Sequence, residues 1–197
     1  QHLKVPKDEY ADVFSAAILH DIGAIGLADR VKLLDFEDVT PHLHSRMGAV
    51  LLESFPKFAR FAPLVRCHHV RWEHGTGTIF DGQEVPFGSY LIYLADRVEV
   101  LAQVSDNILA DAPKIRERIA KDDGQHFHPK AVEAFMAVSV LESFWLGMVS
   151  KQLERKLQAL APFELTAIHA NELLALARFY ALVIDSRSHF TATHSAG

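Results

Sequence analysis

Two adjacent residues near the start of the chain, His20 and Asp21, have the chemistry of metal ligands. They follow the apolar run of residues 16–19, so the sequence presents an imidazole and a carboxylate at one point. Nitrogen and oxygen ligands of this kind suit divalent first-row metals such as Mn²⁺, Fe²⁺ and Zn²⁺. The dipeptide alone is weak evidence, because a histidine at a helix end is more often structural. The rest of the histidine inventory strengthens the interpretation.

Further candidate ligands occur on other predicted segments, as His44, His68, His69 and Asp96. Most lie at helix ends or in first turns, from which a helical bundle can direct side chains into one cleft. Because His68 and His69 are adjacent, they cannot share one helical face, which predicts either two metals or one ligand with one supporting group. Asp21 could bridge two ions. Two close ions can activate water and stabilise an in-line displacement at phosphorus, so this set predicts phosphoester hydrolysis, with Asp21 as the catalytic residue.

The spacing of apolar residues predicts an all-α fold, since no convincing strand alternation is present. Glycines and prolines predict loops over residues 29–40 and 73–86, and close backbone approach at Gly23 and Gly26. Helices are predicted over residues 6–19, 41–55, 57–69, 87–104, 113–124 and 164–184, and from residue 129 far into the segment 132–159.

The same spacing predicts the buried side chains of each helix. These are Tyr10, Val13, Phe14, Ala17 and Ile18 in the first helix; Leu43, Met47, Val50, Leu51 and Phe55 in the second; and Leu165, Ile168, Leu173, Leu176, Phe179 and Val183 in the last.

Residues 160–162, Leu-Ala-Pro, predict a boundary between one domain over residues 1–160 and a C-terminal helical extension over residues 161–197. A chain of 197 residues with 49% hydrophobic and 23% charged residues can bury the core of one such domain.

The charge and cysteine content exclude several classes of protein. A net charge of −5 and a pI near 6.2 argue against a nucleic-acid or anionic-membrane partner, because a phosphate-binding surface should be basic. Cys67 is the single cysteine, so no disulfide can form within the chain, and a cytoplasmic location is expected. The sequence has no apolar run of membrane-spanning length and no signal-peptide pattern.

The remaining histidines and the tryptophans are interpreted as structural. His42 is expected to be solvated or to cap a helix, and the two tryptophans, Trp72 and Trp145, are expected in the core. The histidines without an obvious partner in the sequence are His2, His74, His126, His128, His169 and His189.

In their order along the chain, residues 20–23, 44–48, 68–72 and 95–98 resemble the motifs of the HD superfamily of metal-dependent phosphohydrolases. The closer resemblance is to the HD-GYP branch, whose members hydrolyse cyclic di-GMP. Residues 71–79, Arg-Trp-Glu-His-Gly-Thr-Gly-Thr-Ile, are similar to that branch's signature Arg-Trp-Asp-Gly-Thr-Gly-Tyr-Pro, and residues 82–86 and 124–129 also look like it. The resemblance covers roughly residues 10–145.

The resemblance implies an HD-domain helical bundle that binds one or two divalent ions and a small phosphoester, such as a cyclic dinucleotide or another nucleotide. Arg71 or Arg97 could hold a substrate phosphate, although each could equally pair with an acidic neighbour. Self-association into a homodimer stays open. The implied ligands are His20, Asp21, His44, His68, His69 and Asp96.

The chain departs from the HD-GYP pattern at several positions. Thr78 and Ile79 replace the Tyr-Pro of the signature, and Ala24 replaces a lysine that would contact substrate phosphate. The family's first metal histidine has no counterpart before His20. Residues 190–195 resemble the stretch that carries that histidine, so His194 is either an additional ligand of this site or part of a second HD domain.

Three classes of function are therefore weighed. The first is a metal-dependent phosphohydrolase of the phosphodiesterase type. The second is a catalytically weak sensor module that binds metal or nucleotide and regulates an attached domain, which Ala24, Thr78 and Ile79 favour. The third, a purely helical interaction module, leaves the set of polar residues unexplained.

Overall fold

The computed structural model describes residue 3 and residues 6–24, 42–162 and 169–186, and this part of the chain is mostly helical. Single 3-10 turns occur at Ala59–Phe61 and Glu73–Gly75, and a short antiparallel hairpin pairs β1, Ile79–Phe80, with β2, Gln83–Glu84. The helices are α1 (Lys7–Leu19), α2 (His42–Glu53), α3 (Ala62–Arg66), α4 (Phe87–Gln103), α5 (Ile108–Lys121), α6 (Pro129–Val138), α7 (Glu142–Met148), α8 (Leu153–Leu160) and α9 (Ala170–Ser186).

Two hydrophobic clusters meet at α4, which contributes buried side chains to both. One cluster packs α1, α2, α3 and α9 around residues such as Leu52 and Val65, and Ile92 of α4 joins it. The other packs α5, α6 and α7 around Ile119 and Trp145, and Val98 of α4 belongs to it. Because α4 is held from both sides, its side chains have little freedom to move.

Pro113 lies inside α5 and does not begin it, so the predicted start of this helix is wrong. The helix begins at Ile108 because the side chain of Asn107 accepts a hydrogen bond from the Ala110 amide at 3.2 Å. Pro113 lies in the second turn, so it removes the amide that would donate to the Leu109 carbonyl and costs α5 one helical hydrogen bond.

The long helix predicted from residue 129 is divided into α6, α7 and α8. Side chains take the carbonyl groups at the end of α6: Arg116 donates to the Met136 carbonyl at 3.0 Å, and the Trp145 indole donates to the Ser139 carbonyl at 2.8 Å. These side-chain donors occupy carbonyl groups to which the amides of a continued helix would bond. The helix therefore ends here and the chain turns.

The segment predicted as a loop over residues 73–86 contains the hairpin, a small addition to the all-α prediction. Asp81 and Gly82 have φ angles of 51° and 76°, as the two-residue turn of a tight hairpin requires. Arg46 of α2 holds the turn through the Asp81 carboxylate, at 2.8 and 3.1 Å, and lies over the Phe80 ring. The hairpin is therefore docked on the helix that carries His44.

The predicted buried face of α2 is wrong at Leu43, Met47 and Val50, which are exposed. Leu43 and Val50 are 66% and 57% exposed, whereas the polar residues His44 and Ser45 are buried with Gly48. Among the other predicted core positions, Tyr10, Ile18 and Leu173 are exposed, and Leu51, Phe55, Phe179 and Val183 are buried.

Helix α9 packs against the first cluster through Phe179, whose ring lies 5.9 Å from that of Phe55 and 5.1 Å from that of Phe58. Among the described residues, no single helix is both long and apolar enough to cross a membrane, and one bent pair, Pro129–Val138 with Glu142–Met148 at 101°, passes by length and composition. The predictions that fall outside the described residues are the loop at 29–40 and those for residues Gly26, His2, Leu165, Ile168, His189 and His194.

Candidate metal centre

The turn that follows α1 presents His20 and Asp21. The Ala24 amide donates to the Asp21 carbonyl at 2.9 Å, which closes the turn. A Cβ atom on Gly23 would lie 2.1 Å from the His44 carbonyl oxygen and 2.3 Å from the Gly48 amide nitrogen. Only glycine therefore allows this turn to lie directly against α2, which confirms the close approach predicted at Gly23.

Three histidines reach the same place from α2 and from the end of α3. His44 is buried in the first turn of α2, and His68 and His69 follow α3 with exposures of 0% and 3%. The His68 Nδ1 atom lies 2.6 Å from the Val65 carbonyl oxygen, and the His20 Nδ1 atom lies 2.8 Å from that of Ala17. The rings of His20 and His68 thus donate through Nδ1 and direct Nε2 into the site.

The ligand atoms of four residues lie within 4.8 Å of one another, namely those of Asp21, His44, His68 and His69. The His44 Nε2 atom is 3.3 Å from that of His68 and 3.0 Å from that of His69. The same atom lies 3.4 Å from Asp21 Oδ1.

These separations fit a common cation. Two ligands that bind one ion at about 2.1 Å, with angles between 90° and 109°, are about 3.0–3.4 Å apart. Within the described residues, His20 Nε2 and Asp21 Oδ1 are buried atoms that make no hydrogen bond, a cost that a bound cation would remove. The donor set of imidazole nitrogens and carboxylate oxygens therefore fits a divalent transition metal.

Asp96 of α4 completes the set of predicted residues brought together here. Its Oδ1 atom lies 3.8 Å from His20 Nε2, and His20 Nε2 is 3.4 Å from Asp21 Oδ2. Asp21, His44, His68 and His69 thus lie around one point, and His20 and Asp96 border this cluster. His194 lies outside the described residues.

The environment of the site strongly shifts the pKa values of its ionisable residues. Burial acts to lower the pKa of His20, but the carboxylates of Asp96 and Asp21 outweigh it and raise this pKa to about 9. Burial raises the pKa of the Asp21 carboxyl. Burial also acts to raise the pKa of Asp96, but His20 and Arg97 hold it well below its usual value.

The pKa values of the two adjacent histidines, His68 and His69, are shifted in the same direction. Burial, followed by the charge of neighbouring histidines, holds the pKa of His68 well below 6.5. Burial also lowers the pKa of His69 well below that value, although Asp96 opposes the effect. Both rings are therefore neutral at pH 7, the form in which imidazole binds metals.

The two arginines predicted to bind phosphate occupy different environments. Arg71 is partly exposed in the loop after His69. The Arg97 side chain is 1% exposed, and its guanidinium donates to Asp96. Arg97 therefore makes the acidic pairing that the sequence left open as the alternative to phosphate binding.

The loop that resembles the HD-GYP signature is fixed to the loop before α6. The amides of Trp72, Glu73 and His74 donate to carbonyls of residues 124–126 at 2.7–3.1 Å. A Cβ atom on Gly77 would lie 1.8 Å from the Arg71 carbonyl oxygen, so the loop requires glycine there.

The residues interpreted as structural have defined contacts. Trp145 is buried in the core as predicted, whereas Trp72 is only partly buried, and its ring contacts that of His128 in a tilted arrangement with the centroids 4.1 Å apart. His128 also caps α6 by accepting from the Lys130 amide at 3.1 Å, and His126 lies 3.5 Å from Asp122. His42 is partly buried and stacks on Phe80, His74 is exposed in the 3-10 turn Glu73–Gly75, and His169 is exposed just before α9.

Sequence reasoning missed two contributions to the site. It gave no role to Gly48, on whose amide the turn at Gly23 packs. It also did not anticipate that Arg97 is buried beside Asp96. The glycines at short intervals beside the histidine motifs could have indicated the close packing. Nothing in the sequence indicates how deeply the Arg97 side chain is buried.

Comparison with known families gives one match: residues 5–101 match the family model of the HD domain. This segment contains every predicted ligand apart from His194, and it ends within α4. No solved structure matches the chain at a significant level.

The chain is also similar to several curated proteins. It is 26% identical to a 3′3′-cGAMP-specific phosphodiesterase 1 of Vibrio cholerae, over 99% of this chain and 47% of the relative. It is 33% identical to a cyclic di-GMP phosphodiesterase of Vibrio cholerae, over 64% of this chain and 28% of the relative, and 28% identical to one of Thermotoga maritima, over 61% and 35%. The chain thus spans less than half the length of each of these relatives.

Proposed function

We propose that the chain is a metal-dependent phosphohydrolase of the phosphodiesterase type that acts on a cyclic dinucleotide or a related phosphoester, because residues 5–101 match the family model of the HD domain. The observation that carries the proposal is the convergence of Asp21, His44, His68 and His69, whose ligand atoms lie within 4.8 Å of one another. The relatives named as cyclic di-GMP and cGAMP phosphodiesterases support the reaction type.

We assign the site residues on their geometry. His20, His44, His68 and His69 offer Nε2 atoms, and Asp21 and Asp96 offer carboxylate oxygens, to one or two divalent ions such as Mn²⁺, Fe²⁺ or Zn²⁺. Asp21 faces His20 through Oδ2 and His44 through Oδ1, so it is the residue placed to bridge two ions. Such ions would activate water and stabilise the charge that develops on the phosphate oxygens.

The protein itself contributes position and charge. The carbonyls of Ala17 and Val65 fix the rings of His20 and His68, so little reorganisation is needed when a ligand binds. Arg71, in the partly exposed loop after His69, is the arginine that we propose for a substrate phosphate. Arg97 is no longer proposed for that role, because its side chain is 1% exposed.

The test combines metal analysis with a phosphodiesterase assay. Protein purified without added metal should contain a transition metal, and the wild type should hydrolyse bis(p-nitrophenyl) phosphate in Mn²⁺ or Fe²⁺, with slow or absent turnover of cyclic di-GMP. Asp21→Ala should reduce both metal content and hydrolysis to background. Asp111→Ala, which removes a partly buried carboxylate that pairs with Lys114 on α5, is the matched control and should retain both.

Equal rates in wild type and Asp21→Ala would show that the activity is a contaminant. Side-by-side assays of 3′3′-cGAMP and cyclic di-GMP would then compare the substrates named for the relatives. Rapid cleavage of cyclic di-GMP would show that Ala24 and Thr78 do not impair turnover.

A second candidate is a catalytically weak sensor, which the position of Ala24 favours. This residue is 1% exposed in the turn after Asp21, so its methyl group supplies no charge for a phosphate. Ile79, in place of the proline of the signature, is 59% exposed. A sensor would bind Mn²⁺ and a cyclic dinucleotide in equilibrium dialysis and release no product over hours.

A further inference from the structure

Arg97 lies beneath the candidate metal centre as a buried cation, and its contacts to Asp96 are asymmetric. Its Nε and Nη2 atoms both donate to Oδ2 of Asp96, at 3.1 and 2.8 Å. The other oxygen, Oδ1, lies 3.8 Å from His20 Nε2. One carboxylate oxygen is therefore held by the guanidinium, while the other faces the histidine.

This contact requires an unusual side-chain path. Adjacent residues on a helix point in different directions, so Arg97 must fold back along α4 to reach its neighbour. With 1% of its side chain exposed, the guanidinium has lost water and must be compensated by a buried acceptor. Val98, which is 2% exposed, lies next to it on a helix that is packed from both sides.

We propose that Arg97 is a positioning residue, which fixes the Asp96 carboxylate so that Oδ1 alone is presented to the metal centre. The inference rests on the function proposed above and adds a residue that acts through a ligand. A partner of this kind orients its ligand and prevents the carboxylate from rotating, and its loss typically weakens metal binding by about 10–100-fold.

The alternative is that Arg97 only neutralises a buried charge. Arg97→Lys separates the two roles, because lysine keeps the positive charge and cannot place two fixed donors on one oxygen. Arg97→Gln removes the charge as well. Arg116→Gln is the matched control, since Arg116 is a partly buried arginine that holds the end of α6 and is bonded to Met136 and Ser139.

The experiment titrates Mn²⁺ into the chelator-treated full chain by isothermal calorimetry, with near-ultraviolet circular dichroism to measure the folded fraction. We expect about 10–100-fold weaker binding per folded molecule in both Arg97→Lys and Arg97→Gln. Arg116→Gln should lower the melting temperature and leave Mn²⁺ affinity unchanged. The absorption spectrum of bound Co²⁺ should change in Arg97→Lys, because a carboxylate that rotates alters the coordination.

Equal Mn²⁺ affinity and an unchanged Co²⁺ spectrum in Arg97→Lys would overturn this inference and leave the proposed function intact. Wild-type protein that binds no Mn²⁺ would overturn both. If Arg97→Gln does not fold, Arg97→Lys decides, because it keeps the buried charge pair.

Discussion

Helices α2 and α5 differ in the kind of side chain that they bury. The buried face of α5 is entirely apolar, with Ile108, Ala112, Ile115 and Ile119 at helical spacing. The buried face of α2 carries His44 and Ser45, and its apolar residues Leu43 and Val50 face solvent.

The difference shows which part of the fold serves stability and which serves the candidate site. Burying a polar group costs free energy unless it is paired, whereas burying an isoleucine stabilises the fold. In α2, this cost arises on the face from which His44 contacts His68 and Asp21. Helix α5 lies away from these residues and buries only apolar side chains.

Removing a core side chain from α5 should have the largest effect on folding. Ile119→Ala should lower the free energy of unfolding by about 2–5 kcal/mol, because Ile119 is 0% exposed and the cavity cannot close fully. Urea unfolding measures the loss. Metal content per folded molecule should stay at the wild-type value, and a parallel loss of metal would contradict the separation of the two helices.

The buried histidines should make the metal-free protein sensitive to acid. The pKa values of His68 and His69 are well below 6.5 in the folded state, so below pH 6.5 the unfolded chain binds more protons and stability falls as pH falls. The expected slope approaches about 1.4 kcal/mol per pH unit for each histidine. The raised pKa of Asp21 acts in the opposite direction, and so does that of His20 near pH 6.5, so the net slope is smaller than the sum for the two histidines.

Urea unfolding of chelator-treated protein at pH 6.5 and pH 5.5 tests this prediction. His68→Gln should reduce the slope by the contribution of one histidine, and an unchanged slope would show that His68 is not the source. Above pH 6.5 the raised pKa of His20 predicts a second loss of stability, which is complete above about pH 9.

The contact between α2 and the turn at Asp21 can be broken without removing a polar group. Gly23→Ala should cost about 1–3 kcal/mol by overpacking, because its Cβ would lie 2.1 Å from the His44 carbonyl oxygen. It should also weaken Mn²⁺ binding, since α2 carries His44. Gly147→Ala, where a Cβ meets nothing within 4 Å, is the control: it should leave Mn²⁺ binding unchanged and should not lower stability, because alanine favours the helical conformation more than glycine does.

The exposed side of α2 should tolerate substitution. Val50→Ser should change the free energy of unfolding by about 0.5 kcal/mol or less, because Val50 is 57% exposed. Denaturant unfolding measures it, and Leu52→Ser on the buried side provides the contrast. A large loss at Val50 would show that this face is covered in solution.

The sequence by itself determined the helical class, the identity of the polar residues at the site and the resemblance to HD proteins. These features are local: histidines follow apolar runs, glycines interrupt them, and helical periodicity is visible within each segment. Residues 5–101 match the family model of the HD domain, as that resemblance predicts, and the ligand roles of these residues stay proposals.

Only the tertiary structure decided which face of each helix is buried and which oxygen of Asp96 faces the site. Hydrophobic spacing predicted that Leu43 lies on the buried face of α2. In the structure, Gly23 packs against α2, and His44 is the buried residue instead. The side-chain bonds of Arg116 and Trp145 ended α6 where periodicity continued. In each case a contact between residues distant in sequence outweighed a local preference, because burial and hydrogen bonding depend on neighbours that a single segment does not contain.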